Sequence, residues 1–291
     1  MALLGKLSVR EQPVGGDVAP WVNATGAPMN GRREATLLIH GYNNSQREAD
    51  GSFESFSADL NGDSPATDFS VFGFYWPGDT HIKIISALSY PVELGPAKDS
   101  AKRLFEFLKG LSGPEGTPIV MRIVAHSLGN RLTLELLECF AKSMQATQVV
   151  IRSASLMAAA VPVGKAKAGG EFGAVIQALK TQVLYSTADR VLQLAFPIGE
   201  TAALDGFFPQ AVGRHGHPEV WSIPAQRMNY AHGDYWPGKE SATAVAGFLG
   251  APVHAMPTPN DVAEHQIPAP AQIGSRDLPP AGELIQTVSF G

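Results

Sequence analysis

Ser127 stands in the string Ala125-His126-Ser127-Leu128-Gly129-Asn130-Arg131, with a small residue two positions before it and another two positions after. A serine so placed can act as a nucleophile if it occupies a sharp turn between a strand and a helix, where the strained backbone tolerates only small flanks. The surrounding residues supply that context. Ile119-Val-Met-Arg-Ile-Val is a short apolar run, and Leu132, Leu136, Leu137 and Phe140 recur at three- and four-residue steps, which predicts a helix. The hydroxyl would then project above the end of a sheet, at the positive end of that helix. A plainer reading is that Ser127 caps the helix starting at Leu128. A nucleophile also needs a base, an acid and donors for an oxyanion, so the rest of the chain must supply them.

The elements able to position such groups start at Ala35-Thr-Leu-Leu-Ile-His40, a buried strand followed by the polar loop Gly41-Tyr-Asn-Asn-Ser45. Ser45 is placed to cap a helix running to about Leu60, with Phe53, Phe56 and Leu60 on one face. An aromatic strand, Phe69 to Trp76, ends at Pro77-Gly78. Residues 80–96 are loosely patterned, and a helix is expected over Ala97 to Leu111 before the strand that leads to Ser127. Further strands are expected at Gln148 to Leu156, Gln182 to Asp189 and Glu219 to Ala225. Between them lie a short helix at Glu171 to Lys180, helical spacing to about Ala195, and an irregular connection over 197–218. A loop at Tyr230 to Pro237 and a helix at Ser241 to Leu249 close the series. Alternating helices and strands, with strands apolar throughout, predict an α/β domain over 35–250: a doubly wound, mainly parallel sheet flanked by helices. Residues 1–34 read as an irregular segment with one short strand near Lys6 to Arg10. Residues 251–291 form a Pro-rich tail, whose prolines forbid long regular elements. Either end could dock a partner protein or another subunit, giving a homo-oligomer.

The 291-residue chain has an ordinary apolar content and a net charge of −5. No lysine/arginine block stands out, so neither nucleic acid nor a membrane surface is an expected electrostatic partner. No apolar run approaches a bilayer span, and Met1-Ala-Leu-Leu-Gly-Lys lacks the charged-then-apolar order of a secretory signal. Cys139 is the single cysteine, which excludes a disulfide framework or cysteine zinc site within one chain and fits a cytoplasmic location. No phosphate-cradling glycine loop or metal cluster is apparent, so no cofactor is expected.

Three strings resemble one family. Ile39-His40-Gly41-Tyr42-Asn43-Asn44-Ser45, Phe74-Tyr75-Trp76-Pro77-Gly78-Asp79 and Ala125-His126-Ser127-Leu128-Gly129-Asn130-Arg131 follow the order and spacing of the α/β-hydrolase superfamily. The nearest branch looks like a little-characterised bacterial group marked by H-G-Y-N-N and A-H-S-x-G-N-R. The resemblance covers about residues 35–240. It departs after the strand at 148–156, where that group tends to carry an acidic residue after a proline and this chain has Ala158-Ala-Ala-Val-Pro162. It implies the α/β-hydrolase fold and a Ser–acid–His triad in that chain order. Asp189, at a strand end beyond Ser127, fits the acid, with Asp205 second and Asp79 third; Asp189 could also simply cap a helix. Among eight histidines, His232 lies between the last strand and last helix, where the family places its base, and His217 ranks second. His40 and His126 match motif positions that flank the site rather than carry protons. The oxyanion donors are expected to be the backbone amides of Leu128 and Tyr42. Gly41, Asn43, Trp76 and His126 are the expected substrate-contacting residues.

The expected reaction is hydrolysis of a carboxylic ester or related acyl bond in a small-molecule substrate. Acyl transfer to an alcohol or amine would need the same residues, and a non-catalytic binding protein could keep the same fold. Phe196, Phe207, Phe208 and the segment at 80–96 could line an acyl pocket or a lid.

Overall fold

A computed structural model describes residues 3–63, 69–79, 90–203, 207–217 and 223–250. The expected tail at 251–291, most of the 80–96 segment, and Asp205 lie outside the described residues.

Eight strands form one sheet in the order β2-β1-β4-β3-β5-β6-β7-β8. They are β1 (Gly5–Arg10), β2 (Val18–Gly26), β3 (Glu34–Ile39), β4 (Val71–Tyr75), β5 (Ile119–His126), β6 (Val149–Met157), β7 (Lys180–Tyr185) and β8 (Gln226–Arg227). The pair β1–β2 is antiparallel, and every other neighbouring pair is parallel. The central strands β3, β4 and β5 are buried almost without interruption. That is the expected mark of strands covered on both faces.

The helices are α1 (Gln46–Asp63), α2 (Tyr90–Lys109), α3 (Gly129–Lys142), α4 (Val163–Ala166), α5 (Gly173–Gln177), α6 (Phe196–Ala202), α7 (Val212–His215) and α8 (Lys239–Leu249). The connection β3-α1-β4 runs one way along the sheet, whereas β4-α2-β5 and β5-α3-β6 run the other. Right-handed crossovers therefore place α1 on the face opposite α2 and α3. The helix contacts agree, since α1 packs on α8 and α2 packs on α3. The reversal of direction also leaves a crevice between the C-terminal ends of β3 and β5. In open α/β sheets such a switch point is where ligands bind.

The N-terminal region corrects the sequence reading. The first 34 residues, expected to be irregular apart from one short strand near Lys6 to Arg10, hold that strand as β1 and a second one, β2, and both extend the same sheet. Strand β2 carries Pro20 and is exposed along most of its length, as suits an edge strand with few apolar positions. Helix α2 begins at Tyr90 rather than Ala97 and contains Pro96. The connection expected to be irregular over 197–218 contains α6 and α7, preceded by a single π-helical turn at Val191–Ala195. The last strand is two residues long and lies at 226–227, after the expected 219–225, of which 219–222 are outside the described residues. Among the described residues, no helix is long and apolar enough to cross a membrane, and no group of His, Cys, Asp and Glu could hold a metal ion.

Candidate active site

Strand β5 delivers Ser127 to the crevice. Its φ of +54° is left-handed, a conformation that costs a β-carbon-bearing residue about 1–3 kcal/mol and must be fixed by its surroundings. The fixing groups are on either side. Ser127 N donates to Met157 O of β6 at 3.0 Å, and Ser127 O accepts from Asn130 N at 3.1 Å and Ala160 N at 3.2 Å. Asn130 Nδ2 bridges the two carbonyls, reaching Ser127 O at 3.0 Å and Met157 O at 2.9 Å. The asparagine of the S-x-G-N string thus pins the turn from below. Two glycines allow the close approach. A β-carbon on Gly129 would lie 2.4 Å from His40 O, and one on Gly41 would lie 2.7 Å from Ser127 Cβ.

Ser127 does not cap the following helix. The N-cap of α3 is Leu128, with no side-chain capping bond, and the Ser127 hydroxyl is engaged elsewhere. His232 Nε2 lies 2.8 Å from Ser127 Oγ, and His232 Nδ1 lies 2.7 Å from Asp189 Oδ2. A carboxylate fixes the proton on Nδ1, so the Nε2 lone pair faces the hydroxyl. Asp189 is fully buried just beyond β7, and its second oxygen accepts Leu192 N at 2.9 Å. It therefore caps the turn at 191–195 and orients His232 at once. The helix-cap and histidine-partner readings describe the same side chain.

His232 sits on the loop after β8, which is tied down at several points. Ser186 Oγ donates to Tyr230 O at 2.7 Å, and Asp234 Oδ2 accepts Ala231 N at 2.7 Å. Trp236 packs edge-on against Phe53 and Phe56 of α1, with ring centroids 5.1 and 5.0 Å apart.

The two flanking histidines, His40 and His126, are both buried. His40 is enclosed between Trp76 and Phe53, and its Nε2 accepts Trp76 N at 3.2 Å. His126 lies with its ring centroid 5.0 Å from that of His232. Burial lowers both to about 3, so both stay neutral near neutral pH; for His126 the neighbouring His232 pushes in the same direction.

Other expected site residues fall in different places. Trp76 is fully buried, stacked on His40 and donating from Nε1 to His40 O at 2.9 Å. It supports the β3 end. Asn43, at φ +60°, turns its amide to Gly78 O. Asp79 is paired with Arg10 and takes no part in the Ser127 hydrogen-bond chain. His217 Nε2 accepts Ala225 N at 3.0 Å, away from Ser127. Phe196 is buried, while Phe207 and Phe208 are exposed. Leu128 is buried directly after the serine, and its amide donates to no acceptor among the described residues. Sequence reasoning passed over Asn130 and Arg10. For Asn130 the signal was present, since a buried asparagine one turn after a strained residue has few other uses.

A mainly parallel sheet with a strained serine at the end of a central strand, and helices on both faces, is the architecture of an α/β hydrolase. This chain belongs to the family described as "Alpha/beta hydrolase of unknown function (DUF900)", which matches residues 23–204. No curated protein matches the sequence. Solved structures similar to the chain include a putative hydrolase from Agrobacterium vitis S4, at 11% identity over 79% of this chain and 92% of that one, with a TM-score of 0.45. Others are a hyperthermophilic esterase from Pyrobaculum calidifontis (15%, 76% and 75%, TM-score 0.40) and acyl-protein thioesterase 2 from Zea mays (14%, 77% and 95%, TM-score 0.43).

Proposed function

We propose that this protein is a serine hydrolase that cleaves a carboxylic ester or a related acyl bond of a small molecule. The observation that carries the reading is the unbroken hydrogen-bond chain from Asp189 through His232 to Ser127 Oγ. In this reading His232 Nε2 takes the hydroxyl proton as Ser127 Oγ attacks the acyl carbon. Asp189 stabilises the imidazolium and holds its orientation. The tetrahedral oxyanion is received by the amides of Leu128 and Tyr42. The first follows the nucleophile and donates to nothing else among the described residues; the second is preferred because the next amide, Asn43, is already given to Gly78 O. His232 then returns its proton to the leaving group, and water activated by the same imidazole releases the acyl group.

The exposed Phe207 and Phe208 supply apolar surface for the acyl portion. Phe208 N donates to Thr201 Oγ1 at 2.8 Å, and the following residues pair with Pro162 and Val163, close to the Ala160 that holds Ser127.

Labelling with a fluorophosphonate probe tests the proposal. Parent protein should label, and folded Ser127→Ala and His232→Ala should not. A folded parent that stays unlabelled, or labelling that survives Ser127→Ala, overturns the reading. A series of p-nitrophenyl esters of rising chain length tests the apolar acyl site, which predicts that longer chains raise kcat/KM.

A further inference from the structure

Arg10 closes strand β1, on the far side of β4 from β3 and Ser127, and its side chain is almost wholly buried. A guanidinium has five N–H donors in a fixed plane, and here all five are used. Nε donates to Gln12 O at 3.2 Å. One terminal nitrogen donates to Trp76 O at 2.7 Å and Asn44 O at 3.3 Å. The other donates to Pro13 O at 3.1 Å and is ion-paired with Asp79 Oδ1. Four carbonyls and one carboxylate from three separate loops therefore converge on one side chain. Two of those loops meet directly as well, because Asn43 N donates to Gly78 O. The loop at Gly41–Asn44 is the one that carries the proposed second oxyanion donor.

We infer that Arg10 is a positioning residue for the oxyanion loop. Its planar fork fixes the loop after β4 through Trp76 O and Asp79, and fixes the loop after β3 through Asn44 O. The Tyr42 amide is thereby held where charge develops on the substrate. The inference rests on the serine-hydrolase reading for its catalytic consequence, and on the hydrogen bonds alone for its mechanical one. Arg10 lies before residue 23, where the family match begins, whereas its partners Asn44, Trp76 and Asp79 lie within the matched region. Lysine cannot replace it, since an ammonium keeps the charge for Asp79 but cannot span five acceptors in a plane.

The experiment compares the parent with Arg10→Lys and Asp79→Asn by ester turnover, thermal melting and backbone hydrogen exchange. Arg10→Lys should fold, with faster exchange at residues 41–44 and unchanged exchange in β5. Its kcat should fall on the order of 10- to 100-fold, with KM altered less than about threefold, because the lost interaction is made in the transition state. Asp79→Asn should show the same pattern to a smaller degree, and it serves if Arg10→Lys fails to fold. A lowered melting temperature with unchanged kcat and unchanged exchange at 41–44 in either folded variant overturns the inference. Should the parent itself hydrolyse no ester and take no fluorophosphonate, the hydrolase proposal fails, and the exchange measurement still decides whether Arg10 holds the loop.

Discussion

His126 donates from Nε2 to the main-chain carbonyl of His232 across 2.7 Å. The residue before Ser127 thus holds the loop that carries His232, and it fixes the backbone rather than the ring. Its other nitrogen, Nδ1, is buried with no hydrogen-bond partner among the described residues, which keeps the ring in a single neutral tautomer.

That neutrality has a pH signature. His40 and His126 are both lowered from 6.5 to about 3, chiefly by burial. Below 6.5 the unfolded chain takes up protons that the folded protein refuses until about 3. Stability from these residues is therefore complete above about pH 6.5 and declines as the pH falls towards 3. At pH 5 the loss is about 2 kcal/mol for each ring. The urea midpoint should fall between pH 7 and pH 5, and His126→Gln should flatten that slope. Equal slopes for the parent, His40→Gln and His126→Gln would count against this account.

Asp189 has two oxygens with two tasks, and Asn can keep only one of them. In Asp189→Asn the amide oxygen can still accept Leu192 N, so the change in stability should stay near 1 kcal/mol. The amide would nonetheless favour the wrong tautomer of His232, and kcat should drop on the order of 10⁴-fold. Ester turnover and a thermal melt on one preparation separate the two effects. A large melting shift with nearly normal turnover would leave Asp189 as a cap alone.

Asn130 works by donating, so the charge-bearing isostere should be worse than simple truncation. Asn130→Ala removes two buried bonds and should cost about 1–3 kcal/mol. Asn130→Asp would aim a carboxylate at the carbonyls of Ser127 and Met157 and should cost more. Urea denaturation of the pair checks the order, and a milder Asp variant would contradict it.

Gly129→Ala would set a β-carbon 2.4 Å from His40 O, with backbone on both sides and no flexible side chain to yield. Forced separation of β3 from α3 should cost about 1–3 kcal/mol. It should also displace the Leu128 amide, so turnover should fall far more than the melt implies. The measurement is kcat on protein shown to be folded by circular dichroism.

How much of this was legible in the sequence depended on the range of the signal. The end of β5 is announced locally, by an apolar run, small residues around Ser127 and an immediate helical period, so both the sharp turn at Ser127 and the doubly wound fold are legible. The order of the remaining parts also placed Asp189 and His232 within reach of it. Strand β2 was missed because an exposed edge with a proline lacks the apolar run that marks a buried strand. Strand β8 leaves no mark in the sequence because two residues carry no periodicity at all. The motif at Trp76 carries no sign of its bond to His40 O, which depends on a residue 36 positions away. Arg10 had no local mark, since its five acceptors come from three loops that only the folded sheet brings together.

The brevity of β8 has an operational consequence. Ser127 ends a strand in the middle of the sheet and Asp189 follows the six-residue β7, but His232 hangs from a two-residue strand at the margin and from a few loop contacts. The margin of a sheet is where partial opening is cheapest. Heating should therefore act in two stages, with the proposed hydrolase activity and hydrogen-exchange protection around residues 226–236 lost some degrees before the far-ultraviolet signal of the sheet. On cooling from that intermediate temperature, activity should return in full, because the scaffold that receives His232 never came apart.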